Sequence, residues 1–252
     1  MSFLRVERLS RHFGGIRAVE DVSLEVPRGC VFGVIGPNGA GKTTLLNLLS
    51  GLLRPSSGEI WFRDERIDGL AAHTIAARGI TRTYQNIKLF RTLSARENVV
   101  IGQHLAGRST VAQTLVFAPA AQAEERLLED RAESLLAQVG LAGKGDLRAD
   151  FLSYGDARRL EIARALGAKP SLLLLDEPAA GMNQAEVDRL LALIRELASA
   201  GQTIVLVEHH VGLVMSACER IAVLNFGVKI AEGTPAEIQA DAAVVEAYLG
   251  RD

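Results

Sequence analysis

The chain has 252 residues, 48% of them hydrophobic, with 28 Lys and Arg against 30 Asp and Glu. That length suits one large α/β domain, or one carrying a small subdomain, and leaves two unrelated domains cramped. The near-cancellation of charge leaves no basic excess to neutralise a nucleic-acid backbone or an anionic membrane surface. Cys30 and Cys218 lie far apart in sequence without metal-ligand spacing, the pattern of packed thiols in a reducing compartment. No run approaches the ~18 consecutive apolar residues that span a bilayer. The start, MSFLRVERLS, carries charges where a signal peptide has its apolar core, so a cytoplasmic location is the expectation.

Near the start, FLRVERL and then VSLEV after Asp21 read as strands, as does EIWF after Gly58, and together they predict a small antiparallel layer. Between VSLEV and EIWF stands VFGVI, Val31 to Ile35, an apolar strand that runs into GPNGAGKT, Gly36 to Thr43, and on into the helix-like TLLNLLSG. A strand, this loop and a helix in that order form a phosphate-binding loop. Gly36, Gly39 and Gly41 let the backbone bend its amides inward. The run through Pro37, Asn38, Ala40 and Thr44 then wraps a concave nest of N–H donors that ends at a helix N-terminus. Lys42 can reach the β and γ oxygens of a nucleoside triphosphate, and the Thr43 hydroxyl is placed to hold Mg²⁺. The antiparallel layer would frame the base end of that nucleotide.

From residue 91 to 167 the pattern becomes helix after helix, which predicts a helical subdomain. Its weakly charged stretch STVAQTLVFAPAAQA, around Pro119, reads as a helix followed by a turn, and Leu127, Leu128, Leu135, Leu136 and Val139 repeat at helical core spacing. Three later apolar runs, SLLLLDEP, TIVLVEHH and RIAVLN, predict strands buried on both faces of a mainly parallel sheet, with ligands at their carboxyl ends. The first ends in two acids: Asp176 suits the Mg²⁺ shell and Glu177 can polarise an attacking water. Residues 1–90 and 168–233 thus form the expected nucleotide-binding core. The tail, 234–252, opens on GTPAEIQ, a capping box built on Thr234, Pro235 and Glu237, and predicts a short helix ending near Gly250.

LSYGD, Leu152 to Asp156, stands just before the LLLLDE strand, and with it the chain resembles the ATP-binding subunits of ABC transporters, whose signature is LSGGQ. RTYQNIKLF, EPAAGMN and EAYLG are most similar to the branched-chain amino acid importer branch. The resemblance implies a RecA-like phosphate-loop fold that binds and hydrolyses Mg·ATP between two ATP-binding subunits, either two copies or this chain with a similar one. It further implies integral membrane permease subunits, a periplasmic or extracellular solute-binding protein, no nucleic-acid partner, and a peripheral place on the inner face of the membrane.

Site roles follow from the same resemblance. Phe13 stacks on adenine, Gln85 touches Mg²⁺ or the lytic water, His209 contacts the γ-phosphate, and Ser153 and Gly155 address the γ-phosphate held by the opposite subunit. Ile87, Leu89 and Phe90 are candidates either for meeting a membrane-subunit helix or for packing the helical subdomain. Tyr154, Asp156, Asn183 and His210 depart from the general pattern, and Asp156 adds negative charge beside a partner's phosphate. A soluble ABC-type ATPase acting on DNA or ribosomes shares the site, but the neutral charge and the lack of a long coiled coil or tandem domain speak against it. A kinase or GTPase is weaker still, since no NKxD motif occurs.

Overall fold

The computed structural model describes residues 3–104 and 119–249. Its centre is β3 (Val31–Ile35), whose five residues are all buried. β3 pairs in parallel with β8 (Thr203–Val207) on one side and β9 (Arg220–Asn225) on the other. β7 (Leu172–Asp176), β6 (Ile80–Arg82) and an antiparallel edge strand, β10 (Val228–Gly233), complete a six-stranded sheet in the order β10-β9-β3-β8-β7-β6. Because side chains alternate along a strand, each strand feeds two cores. Val31, Ile35, Leu173, Leu175, Ile204 and Leu206 pack into one, while Phe32, Val34, Leu172, Leu174, Val205 and Val207 pack into the other. That two-sided burial is why these runs are continuously apolar.

The second core is closed by the antiparallel layer and by α1 (Lys42–Leu49). The layer consists of β1 (Leu4–Phe13), β2 (Ile16–Val26), β4 (Ser57–Phe62) and β5 (Glu65–Arg66), in the order β2-β1-β4-β5. β1 loses register with β2 three times between Val6 and His12, and these bulges curl the hairpin tip. The first core is covered by α3 (Ala95–Gly102), α4 (Pro119–Gln138), α5 (Tyr154–Gly167) and α6 (Gln184–Ser199). A short helix, α2 (Ala72–Ala77), leads into β6, and α7 (Val211–Ala217) links β8 to β9. Between residues 105 and 118, most of the predicted STVAQTLVFAPAAQA helix lies outside the described residues.

Two expectations need correction. Leu127 is 67% exposed, because the buried stripe of α4 runs through Ala132, Leu136 and Val139, and five residues back from Ala132 is roughly 140° around the helix. The tail is two helices, α8 (Pro235–Ala240) and α9 (Ala242–Leu249), rather than one. Thr234 and Glu237 do form the capping box on α8, but the Asp241 side chain accepts the Ala243 and Val244 N–H groups and starts a second helix.

Gly102 and Gly167 let α3 and α5 approach closely, and a Cβ at Gly102 would run into the Arg164 carbonyl oxygen. Gly102→Ala should therefore lower stability by about 1–3 kcal/mol, the usual cost of overpacking. A urea midpoint equal to that of the unaltered chain would show that the two helices have room to move apart.

Candidate functional site

The phosphate loop is seated between two strands. Gly36 and Gly41 have φ of 153° and 99°, and a Cβ on either would strike a backbone carbonyl, Leu224 of β9 for the first and Ala18 of β2 for the second. Only glycine fits both the torsion and the space. α1 begins at Lys42 with no side-chain cap, so its first N–H groups are left for an anion. Lys42 is buried and its Nζ donates to the Gly36 and Pro37 carbonyls at 2.7 and 3.0 Å. Burial draws its pKa below the ordinary lysine value, against the opposing pull of Glu177, Asp176 and Glu208.

An open cavity of about 450 Å³ lies over this loop, lined from Asn38 to Thr44 and by Ile16, Arg17, Ala18, Gln85, Glu177 and Phe226. β7 delivers the two acids. Asp176 is 1% exposed; its Oδ2 accepts from Arg82 at 2.8 Å, while its Oδ1 is buried without a partner. Arg82 also donates to Oδ1 of Asn47 in α1 and to Oγ of Ser50, which caps that helix, at 2.7 and 3.1 Å, so it holds the acid and the phosphate-loop helix in one geometry. Glu177 has φ of +46°, a left-handed backbone that costs a bulky residue strain and that clusters at functional positions. Its Oε2 accepts from Gln85 Nε2 at 2.9 Å and lies 3.7 Å from His209 Nδ1. Glutamate, glutamine and histidine, drawn from three loops, converge on one carboxylate oxygen.

Glu208 explains how the histidine is aimed. It is fully buried, and its carboxylate accepts the N–H groups of Ala179, His209 and His210 at 2.7, 3.1 and 3.2 Å. The loop after Glu177 is thereby fixed to the loop that carries His209. His210 caps α7 through its Nδ1, which accepts the Leu213 N–H, leaving His209 to face Glu177.

The LSYGD segment starts α5. Ser153 is its N-cap and accepts the Asp156 N–H at 3.2 Å, so the hydroxyl proton stays available to a second acceptor. A Cβ at Gly155 would meet the Glu186 carboxylate, which would have to swing aside. The Asp156 charge is matched by Lys144 at 2.5 Å and by Arg159. Burial pushes its carboxyl up, but these two cations outweigh it and hold the pKa below the usual range. Asn183 caps α6 in a capping box with Glu186, a task for which asparagine serves as well as aspartate. Further along α5, Arg158 and Glu161 form a pair whose side chains are 1% exposed. Arg158 donates to the Tyr84 and Gln85 carbonyls, and Glu161 accepts the Tyr84 and Lys88 N–H groups at 3.3 and 3.1 Å.

Matches to known proteins agree with this geometry. The family model described as ABC transporter matches residues 19–180, and one described as branched-chain amino acid ATP-binding cassette transporter matches residues 228–252. The chain belongs to the ABC transporter family. It is 42% identical to the high-affinity branched-chain amino acid transport ATP-binding protein LivG of Escherichia coli K12, over 98% of this chain and 97% of that one. It is 37% identical to the lipopolysaccharide export system ATP-binding protein LptB of the same organism, over 100% of this chain and 99% of that one. Among solved structures, the ADP conformation of MJ1267, an ATP-binding cassette of an ABC transporter, superposes with a TM-score of 0.86 at 30% identity over 100% of both chains.

Within this cassette the predicted residues fall into two groups. The phosphate loop, Gln85, Asp176, Glu177 and His209 belong to one neighbourhood, whereas Phe13, Ser153 and Gly155 do not line its cavity. Phe13 sits at the hairpin tip opposite Ile16, 42% exposed, with the Arg11 guanidinium 4.6 Å above its ring. Of the three apolar residues after Gln85, Leu89 packs against the core, while Phe90 is 49% exposed. Both cysteines are buried and free, with thiol pKa values pushed up by burial to about 11 for Cys30 and about 12 for Cys218.

Sequence reasoning missed Arg82, Arg158, Glu161, Glu208, Ile16 and Phe226. Arg82 stood three residues before Gln85 and Glu208 one before His209, so charge at the end of an apolar strand was the available signal. Replacing Arg158 by Met leaves Glu161 buried without its cation, which costs about 3–5 kcal/mol. Guanidinium denaturation of that variant should show the loss; an unaltered midpoint would place the pair in water.

Proposed function

We propose that this chain is the ATP-hydrolysing subunit of an ABC importer for branched-chain amino acids or related small polar or amide solutes. The observation that carries the catalytic part is the meeting of Gln85, Glu177 and His209 beside the phosphate loop. Glu177 acts as general base on a water aligned with the γ-phosphorus. Gln85 and His209 hold its carboxylate in place, and His209 also donates toward the phosphate. Lys42 trades the loop carbonyls for the β and γ oxygens, and the amides of the loop take up the rest of the charge.

The residues fit Mg²⁺. Asp176 Oδ1 is a buried acceptor with no partner, its other oxygen is fixed by Arg82, and Thr43 is an exposed residue at the start of α1. Bound there with ATP, the ion would neutralise charge on the phosphoryl oxygens. Asp176, Thr43 and Gln85 are the residues to hold it.

Ser153 and Gly155 lie outside the cavity of their own chain, which supports a pocket completed by a second ATP-binding subunit. Ser153 Oγ keeps a proton to donate, and the α5 N-terminus favours an anion. The neutralised Asp156 removes an obstacle to that approach. ATP would bridge two subunits through a γ-phosphate that ADP lacks, so binding closes the pair and hydrolysis releases it. Permease subunits in the membrane and a solute-binding protein outside it complete the transporter, with this subunit peripheral on the inner face. Among the described residues no helix is long and apolar enough to cross a membrane. The match of residues 228–252 to the branched-chain amino acid model favours import over the export system served by LptB.

Glu177→Gln should lower turnover about 10²- to 10⁴-fold while ATP affinity changes little. Near-normal hydrolysis in that variant would remove Glu177 from the base role. Lys42→Ala should instead abolish most nucleotide affinity, read by equilibrium titration with ATP; unchanged binding would contradict the phosphate-loop assignment.

A further inference from the structure

The turn from β9 to β10 carries a side chain that the fold does not use. Asn225 and Val228 pair across it, leaving Phe226 and Gly227 as the two loop residues, with φ of +46° and +82°. Positive φ at both central positions is the type I′ arrangement, which favours Asn or Asp followed by Gly. A bulky aromatic in the left-handed region is strained, and Phe226 gains little from packing to offset it. At 84% exposure it is the most exposed large apolar side chain among the described residues. Strain without packing in return marks positions kept for a ligand.

The turn is also held firmly against the phosphate loop. The Gly227 N–H donates to the Ala40 carbonyl at 3.0 Å, and the Glu20 N–H of β2 donates to the Gly227 carbonyl at 2.8 Å. Phe226 is therefore positioned by the same backbone that positions Lys42, and it lines the same cavity. Ile16, 70% exposed at the start of β2, is a second apolar residue on that lining. Neither has anything to offer a triphosphate, whose charge is met by loop amides and Lys42. The apolar faces of a nucleotide are those of its base and ribose.

We propose that Phe226, together with Ile16, forms an apolar clamp for the nucleoside half of the bound nucleotide, additional to any contact from Phe13. The proposal rests on the nucleotide-site reading above. It makes Phe226 a binding residue whose strained turn is retained for affinity, with Asn the better residue for the turn itself.

Phe226→Ala and Phe226→Asn in the full chain separate the possibilities, with titrations against ADP and against inorganic tripolyphosphate, and with a melting curve. Both variants should bind ADP about tenfold more weakly, in the range expected for loss of an aromatic contact to a base, and should bind tripolyphosphate as the unaltered chain does. Phe226→Asn should in addition melt at a higher temperature, since it relieves the turn, so lost affinity cannot be ascribed to unfolding. Parallel loss for both ligands would overturn the proposal by making Phe226 a support of the loop. Unchanged affinity for ADP would overturn it too. If the unaltered chain bound tripolyphosphate but not ADP, the clamp would fall while the phosphate loop stood; if it bound neither, the nucleotide site itself would fall.

Discussion

A carboxylate withdrawn from water must be given donors, and this cassette meets that demand by drawing each acid to a different part of the chain. Asp176 is held by Arg82, which also grips α1. Glu208 is held by the backbone of the loops that follow β7 and β8. Glu161 is held by Arg158 and by the N–H groups of the Gln85 loop. Burial pushes the Glu161 carboxyl above its ordinary value even with those partners around it, so the arrangement is costly and the loops have little freedom to leave it. The meeting of Glu177, Gln85 and His209 is a consequence, because the acids beneath them fix the backbone from which they project.

The same logic joins the helical subdomain to the nucleotide. α5 starts at the LSYGD segment and, one turn later, holds Tyr84 and Gln85 through Arg158 and Glu161. A shift of the Gln85 backbone has to carry α5 with it, because parting them would strip the buried Arg158–Glu161 pair of the Tyr84, Gln85 and Lys88 backbone groups that satisfy it. α5 in turn is packed tightly on α3 through Gly102 and Gly167. Under the proposed two-subunit reading, occupancy of the phosphate site would reach the LSYGD end of α5 through this helix.

Much of this was legible in the chain itself. Continuous apolar runs revealed the parallel strands because burial on both faces leaves no polar alternation, and the glycine spacing revealed the loop because the backbone there admits no Cβ. Thr234 and Glu237 announced a helix start through local chemistry alone. What stayed hidden depended on distance in space. Arg82 and Asp176 are 94 residues apart in sequence, and nothing local marks either as the other's partner. Leu127 was misread because helical spacing identifies a stripe only when its phase is known. Phe226 gave no sign in the sequence, since its meaning lies in a positive φ and a missing neighbour. His210 and Asp156, which looked like departures of doubtful effect, have local tasks: one caps α7 and the other is paired with Lys144 and Arg159.

The central claim is that one chain supplies half of each ATP pocket. The direct measurement is the mass, by sedimentation velocity, of the Glu177→Gln chain with saturating Mg·ATP and with Mg·ADP, alone and with the membrane subunits that co-purify with it. Paired ATP-binding subunits with ATP, and separated ones with ADP, are the predicted result. An ATP-binding subunit that stays unpaired with ATP in both settings would contradict the account.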